Sequence, residues 1–142
     1  MEEQSNFPAP ATELKLNSGE VITVGGAKDR PQVINFWASW CPPCRAEFSE
    51  LEDFFAAHKD TIYMFAVSED ETAEDMQSFL NERSENYNAL TAVLDEEHIA
   101  GQNFEVEYLP TTFIVDKNGD VKAFHVGGIT RDVLENSLAL VE

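Results

Sequence analysis

Cysteine is nearly absent from this 142-residue chain: Cys41 and Cys44 are the only two. A disulfide framework that staples a small fold needs more than one pair, so these two are read for chemistry rather than scaffolding. Basic residues are scarce too, with 9 Lys plus Arg against 27 Asp plus Glu and a formal charge of −18. So acidic a surface repels phosphate, which argues against a nucleic-acid partner and against adsorption to anionic lipid. No apolar run approaches the ~18 residues that cross a bilayer. The opening Met1-Glu2-Glu3-Gln4-Ser5-Asn6 lacks the basic start and apolar stretch of a signal peptide. The expectation is either a cytoplasmic protein or one whose export segment or anchor has been cut away. Zinc needs four ligands, and one Cys-x-x-Cys with three scattered histidines, His58, His98 and His125, does not supply them.

What the chain does have is a core's worth of apolar side chains: 43% hydrophobic residues, including ten Phe and two Trp. Residues 1–10, with Pro8 and Pro10, read as an extended arm, and residues 11–142 as one domain. Leu14–Leu16 and Val21–Val24 flank Asn17-Ser18-Gly19-Glu20 and predict a hairpin. Residues 32–38 form the strongest strand, apolar without clean alternation, as in a strand buried on both faces. A helix is expected from about Pro43 to His58, then a strand over 61–67. A short helix carries Met76, Phe79 and Leu80 behind a capping box at Thr72–Asp75. A strand over 90–94, a short helix over 97–103, a second hairpin around Asp116–Asp120 and a helix capped by Thr130 complete the chain. The order implies an α/β fold: a central mixed sheet flanked by helices, with β-hairpins.

Trp40-Cys41-Pro42-Pro43-Cys44 falls where the strongest strand ends and a helix begins. A helix N-terminus offers unpaired N–H groups and positive dipole density, both of which favour thiolate over thiol. Proline suits the first helical positions because it has no N–H to leave unpaired. Cys41 is therefore expected to be the accessible, attacking sulfur. Cys44, one turn deeper and shielded, would close an intramolecular disulfide and release a bound partner.

The segment Val33-Ile34-Asn35-Phe36-Trp37-Ala38-Ser39-Trp40-Cys41-Pro42-Pro43-Cys44-Arg45-Ala46-Glu47-Phe48 resembles the active-site segment of the thioredoxin superfamily. More narrowly it resembles the extracytoplasmic TlpA/ResA-like thiol-disulfide oxidoreductases, relatives of the CcmG-type cytochrome c maturation proteins. The likeness resumes at Tyr108-Leu109-Pro110-Thr111-Thr112-Phe113. It implies a thioredoxin-like fold with an N-terminal β-hairpin and a central strand–helix insertion, the insertion accounting for the 69-residue spacing between Cys41 and Pro110. It implies a cis bond at Leu109–Pro110, with the proline against the cysteine pair. Trp40, Pro42, Pro43, Leu109 and Pro110 would then form the substrate-binding surface. It further implies disulfide-bearing protein substrates outside the cytoplasm, for example apocytochrome c, and a membrane thiol donor of the CcdA or DsbD kind. The redox group would be the Cys41–Cys44 disulfide, with no bound cofactor and no metal, in a monomer. A rival of another class is a copper carrier using Cys41, Cys44 and one histidine; the two-residue cysteine spacing argues against it. A net oxidant or isomerase is the enzymatic rival, because redox direction depends on fine electrostatics and compartment.

On a helical wheel with Cys44 at zero, Phe48, Leu51 and Phe55 lie at about 40°, 340° and 20°, and Glu47 at about 300°, inside the apolar arc. Glu50, Glu52 and Asp53 are placed outside it. Two readings of Glu47 stand: a first-turn glutamate reaching solvent, or a partly buried acid exchanging protons with Cys44, the role the resemblance implies. Asn35 cannot ionise and is expected to hydrogen-bond within the sheet. Trp40 is read either as a surface beside the disulfide or as core, and Trp37 as core. His125 is expected to be a half-exposed strand residue, and Ser68-Glu69-Asp70-Glu71 a solvated loop and helix start. Segment 85–88 matches nothing assignable.

Overall fold

Consecutive side chains along a strand point to opposite faces of its sheet, so a strand covered on both sides reads as an unbroken apolar run. The segment Gln32–Trp37, β4, is buried at every position. Phe36 and Trp37 lie on its two faces and enter two separate cores. A computed structural model describes residues 2–82 and 91–142 of the chain, with only the backbone for residues 2–5. Leu90, the expected start of a strand, and segment 85–88 lie outside the described residues.

Before β4 come β1 (Glu2–Pro8), β2 (Thr12–Lys15) and β3 (Val21–Val24). After it come α1 (Pro42–His58), β5 (Tyr63–Ser68), α2 (Ala73–Asn81), β6 (Thr91–Leu94), α3 (Ile99–Asn103), β7 (Thr111–Val115), β8 (Asp120–Val126) and α4 (Arg131–Leu138). Six strands form one mixed sheet in the order β1-β8-β7-β4-β5-β6, and β2–β3 is a separate hairpin. β4, β5 and β6 run parallel; β7, β8 and β1 are added antiparallel. The expected extended arm is extended, but it is not separate from the domain: Glu2–Pro8 pairs with β8 as the edge strand.

On one face, α1, α2 and α4 bury Phe48, Leu51, Phe54, Met76, Phe79, Leu80, Leu134 and Leu138 against Val33 and Trp37. Three of these rings interlock beneath the start of α1: Trp37, Phe48 and Phe79 have centroids 4.9 to 5.3 Å apart. On the other face the hairpin and α3 cover Phe36, which meets Phe104 at 5.4 Å and Phe113 at 5.8 Å. Thr72 and Thr130 cap α2 and α4 through their side-chain oxygens. The helix expected over 97–103 begins later, at Ile99, because Glu97 and His98 take left-handed backbone angles (φ +58° and +57°). The turn joining β7 to β8 closes on Gly119 (φ +89°), an angle glycine takes without a β-carbon penalty.

Candidate active site

Cys41 is the N-cap of α1, with an extended backbone (φ −95°, ψ +111°) and Pro42 and Pro43 in the first two helical positions. Its carbonyl accepts the Arg45 N–H at 3.0 Å, and its sulfur accepts the Cys44 N–H at 3.4 Å. The sulfur thus takes the place of the capping oxygen that Ser or Asp would supply, at the positive end of a 17-residue helix. Cys41 and Cys44 are joined as a disulfide. Across from them, Cys41 Sγ lies 3.8 Å from the Leu109 carbonyl oxygen, and the Leu109–Pro110 bond is cis. The loop carrying that bond is held at both ends: Thr111 Oγ1 donates to the Tyr108 carbonyl at 2.6 Å, and Gly127 N to the Pro110 carbonyl at 2.8 Å.

Accessibility departs from expectation. Cys44 is fully buried, but Cys41 is only 4% exposed in this disulfide form. The Leu109 carbonyl closes over its sulfur. Trp40, by contrast, is 66% exposed, which settles its two readings in favour of surface. Pro42 and Pro43 are exposed beside it, and Pro110 is buried.

Glu47 is 5% exposed. Its Oε1 accepts from Asn35 Nδ2 at 3.0 Å and its Oε2 from the Ile129 backbone N–H at 2.7 Å. The same Asn35 nitrogen donates to Thr112 Oγ1 at 2.9 Å. Burial penalises the carboxylate and raises its pKa to about 7, although the two hydrogen bonds pull the other way. A group poised near neutrality one turn after Cys44 is suited to trading a proton with a thiol. The neighbouring Glu52, expected outside the apolar arc, is buried as well. At about 80° on the wheel it sits at the edge of a buried stripe broader than the one drawn by the apolar residues alone.

The acidic run is also corrected: Glu71 is exposed, but Ser68 and Asp70 are buried. Asp70 clamps the turn that leads into Cys41, accepting the Ser39 N–H at 3.0 Å, the Ser39 hydroxyl at 2.7 Å and the Ser68 hydroxyl at 2.6 Å. Arg45 holds the same turn from the other side by donating to the Ser39 carbonyl at 3.1 Å. The sequence signal for the clamp is slight, a Ser-x-Asp at a strand end facing a Ser two residues before a cysteine. Glu69 meets His98 Nδ1 at 2.6 Å and lies beside Asp95. Desolvation first, then Asp95, push its pKa up to about 9. Asp95 accepts the N–H groups of Ala100 and Gly101, both at 2.8 Å, and so anchors α3.

His125, expected half-exposed, is buried: two residues after Ala123 on β8, it shares that residue's covered face of the strand. Its Nε2 lies 2.8 Å from the Gly128 carbonyl. His58 pairs with Glu135. Among the described residues, no group of three or more His, Cys, Asp or Glu side chains stands where it could hold a metal ion.

The Redoxin family model matches residues 4–139. Thioredoxin-like protein YneN of Bacillus subtilis is 31% identical over 137 residues, covering 96% of this chain and 80% of its own. The thiol-disulfide oxidoreductase ResA of Oceanobacillus iheyensis is 29% identical over 136 residues, 92% of this chain and 69% of that one. A crystal structure assigned to a thiol:disulfide interchange protein DsbE of Chlorobium tepidum superposes with a TM-score of 0.82 at 29% identity, over 99% of each chain.

Proposed function

The chain belongs to the Redoxin family, as a TlpA/ResA-like member of the thioredoxin superfamily, and from that premise we propose that it is a thiol-disulfide oxidoreductase acting through Cys41. The observation that carries this reading is the Cys41–Cys44 disulfide at the N-terminus of α1, facing Leu109–Pro110. In the reduced protein, the Cys41 thiolate attacks one sulfur of a substrate disulfide. The Cys41–substrate bond forms as the substrate S–S bond breaks, and the leaving sulfur takes a proton. Cys44 then gives up its proton and attacks Cys41 Sγ, forming the internal disulfide and releasing the second substrate thiol. Two electrons pass to the substrate with two protons. Glu47, one turn from Cys44, receives the proton that Cys44 gives up. The redox group is the cysteine pair itself, so the reaction needs no bound cofactor.

The family likeness supports a reducing role outside the cytoplasm, on substrates such as the haem-attachment cysteines of apocytochrome c. A membrane dithiol carrier of the CcdA or DsbD kind would restore the reduced pair, and the protein would work as a monomer. Among the described residues no helix is long and apolar enough to cross a membrane. The test is equilibration of the pair against glutathione and dithiothreitol series, together with disulfide reduction by wild type and Cys41→Ser. A reducing potential and loss of activity in the variant are expected. Undiminished reduction by Cys41→Ser would overturn the reading, and a strongly oxidising potential would reverse the direction.

A further inference from the structure

A groove of about 370 Å³ opens beside the Leu109–Pro110 loop. Its floor is aromatic: Phe104, Phe113 and Phe124, with Phe113 5.1 Å from Phe104 and 6.1 Å from Phe124 between ring centroids. Tyr108, Val126 and Phe7 line it and are all exposed, Tyr108 at 69% and Val126 at 43%. Isolated exposed apolar residues are ordinary, but several around one concavity mark a binding surface. The groove adjoins the loop that faces the cysteine pair. Thr111, also in its lining, directly follows Pro110 and pairs with Val126 across β7 and β8. Tyr108 directly precedes Leu109, whose carbonyl lies against Cys41 Sγ. Exposed Trp40 directly precedes Cys41 in the chain. The groove's remaining wall, the 105–107 segment, brings in Glu105 and Glu107, within a chain of net charge −18.

We propose that this groove holds a large apolar side chain of the substrate polypeptide, placed close to the reacting cysteine and next to basic residues. The assignment rests on the thiol-disulfide reading above and narrows its substrate class. A polypeptide that brings a sulfur to Cys41 must lie along the Leu109–Pro110 loop, and the groove begins within one residue of that loop. The aromatic floor favours a Phe- or Leu-sized side chain over a small one, because only the larger removes the rings from water. Glu105 and Glu107 favour Lys or Arg beside it and disfavour an acidic neighbour, an effect that weakens with added salt.

The test uses the full chain, reduced with dithiothreitol and freed of it, in single turnovers. The probes are cyclic disulfide peptides of equal length that differ only beside one cysteine: Phe-Lys, Ala-Lys or Phe-Glu. The Phe-Lys peptide should react about tenfold faster or more than the Ala-Lys peptide. It should also outpace the Phe-Glu peptide, by a margin that shrinks at high salt. Val126→Glu and, independently, Tyr108→Ala should each reduce the Phe-Lys to Ala-Lys ratio toward one. Equal rates for all three peptides in the wild type, or a ratio retained in both folded variants, would overturn the groove assignment while leaving the thiol-disulfide reading intact. A wild type that reduces neither these peptides nor a small disulfide such as oxidised glutathione would bring down both.

Discussion

Glu47 Oε2 accepts the Ile129 backbone N–H at 2.7 Å while its Oε1 holds Asn35, so one buried carboxyl ties the first turns of α1 to the central strand and to the loop before α4. The group is committed on both oxygens and still has a pKa near 7. The atoms that tie these elements together are thus the ones the proposed proton exchange would use.

Replacing it separates the two. Glu47→Gln should lower the apparent pKa of the cysteine pair, because a carboxylate opposing the helix dipole is gone, and should slow the release step. Thiolate ultraviolet absorbance against pH, with the rate of insulin disulfide reduction, measures both. If neither changes, Glu47 has no part in the chemistry.

The same carboxyl makes stability pH-dependent. Its pKa is about 7 in the fold against 4.5 for an ordinary glutamate. A raised acid pKa means the folded state favours the protonated form, so its stabilisation is complete below about pH 4.5 and is lost as pH rises through about 7. Relative to Glu47→Gln, the wild type should therefore weaken between about pH 5 and about pH 8, by at most about 3 kcal/mol. Denaturant midpoints of both proteins across that range give the difference.

Asn35→Asp should be costly at neutral pH. It would set a second carboxyl against Glu47, where the amide nitrogen now donates at 3.0 Å. Two buried carboxylates at that distance cannot both ionise. A loss of about 3 kcal/mol above neutral pH, relieved in acid, is expected from thermal unfolding.

Cys44→Ser should trap substrates. With the resolving thiol gone, the mixed disulfide on Cys41 has no internal exit. Non-reducing gels should show adducts with Cys44→Ser that are missing with Cys41→Ser. Limiting alkylation of the reduced protein should mark Cys41 before Cys44, since in the disulfide form only Cys41 has any exposure at all.

Asp70→Asn should loosen the approach to the site. The new amide would turn N–H groups toward donors at Ser39 and Ser68 that now have a carboxylate to share. A cost of about 1–3 kcal/mol is expected. A lower melting temperature and a changed rate of Cys41 alkylation would register it.

Why some of this could be read from the sequence and some could not comes down to range. The strand–cysteine–helix junction is local: an apolar run, two prolines at N1 and N2, and a sulfur at the cap declare themselves within a dozen residues. The burial of Glu47 is legible because its apolar neighbours on α1 repeat with the helical period. Glu52 is buried against expectation because a polar residue at the edge of a stripe gives no sign of which side it joins. Asp70 and Ser39 are 31 residues apart and meet only because β4 and β5 run side by side. No periodicity in either segment announces that contact. The burial of His125 and the partner of the extended 2–8 segment are illegible for a similar reason: one depends on the face to which β8 is committed, the other on pairing with a strand more than 100 residues away.

The edge strand has one last effect. β1 covers the outer side of β8, and its own outer side is the limit of the sheet. Between Gln4 and Phe7 its register slips, and it ends at Pro8, which offers no N–H. A bulged strand that begins with two glutamates and ends in proline is a poor template for a further strand. The described sheet stops there, at an edge whose backbone is ill suited to pairing with a strand of another copy.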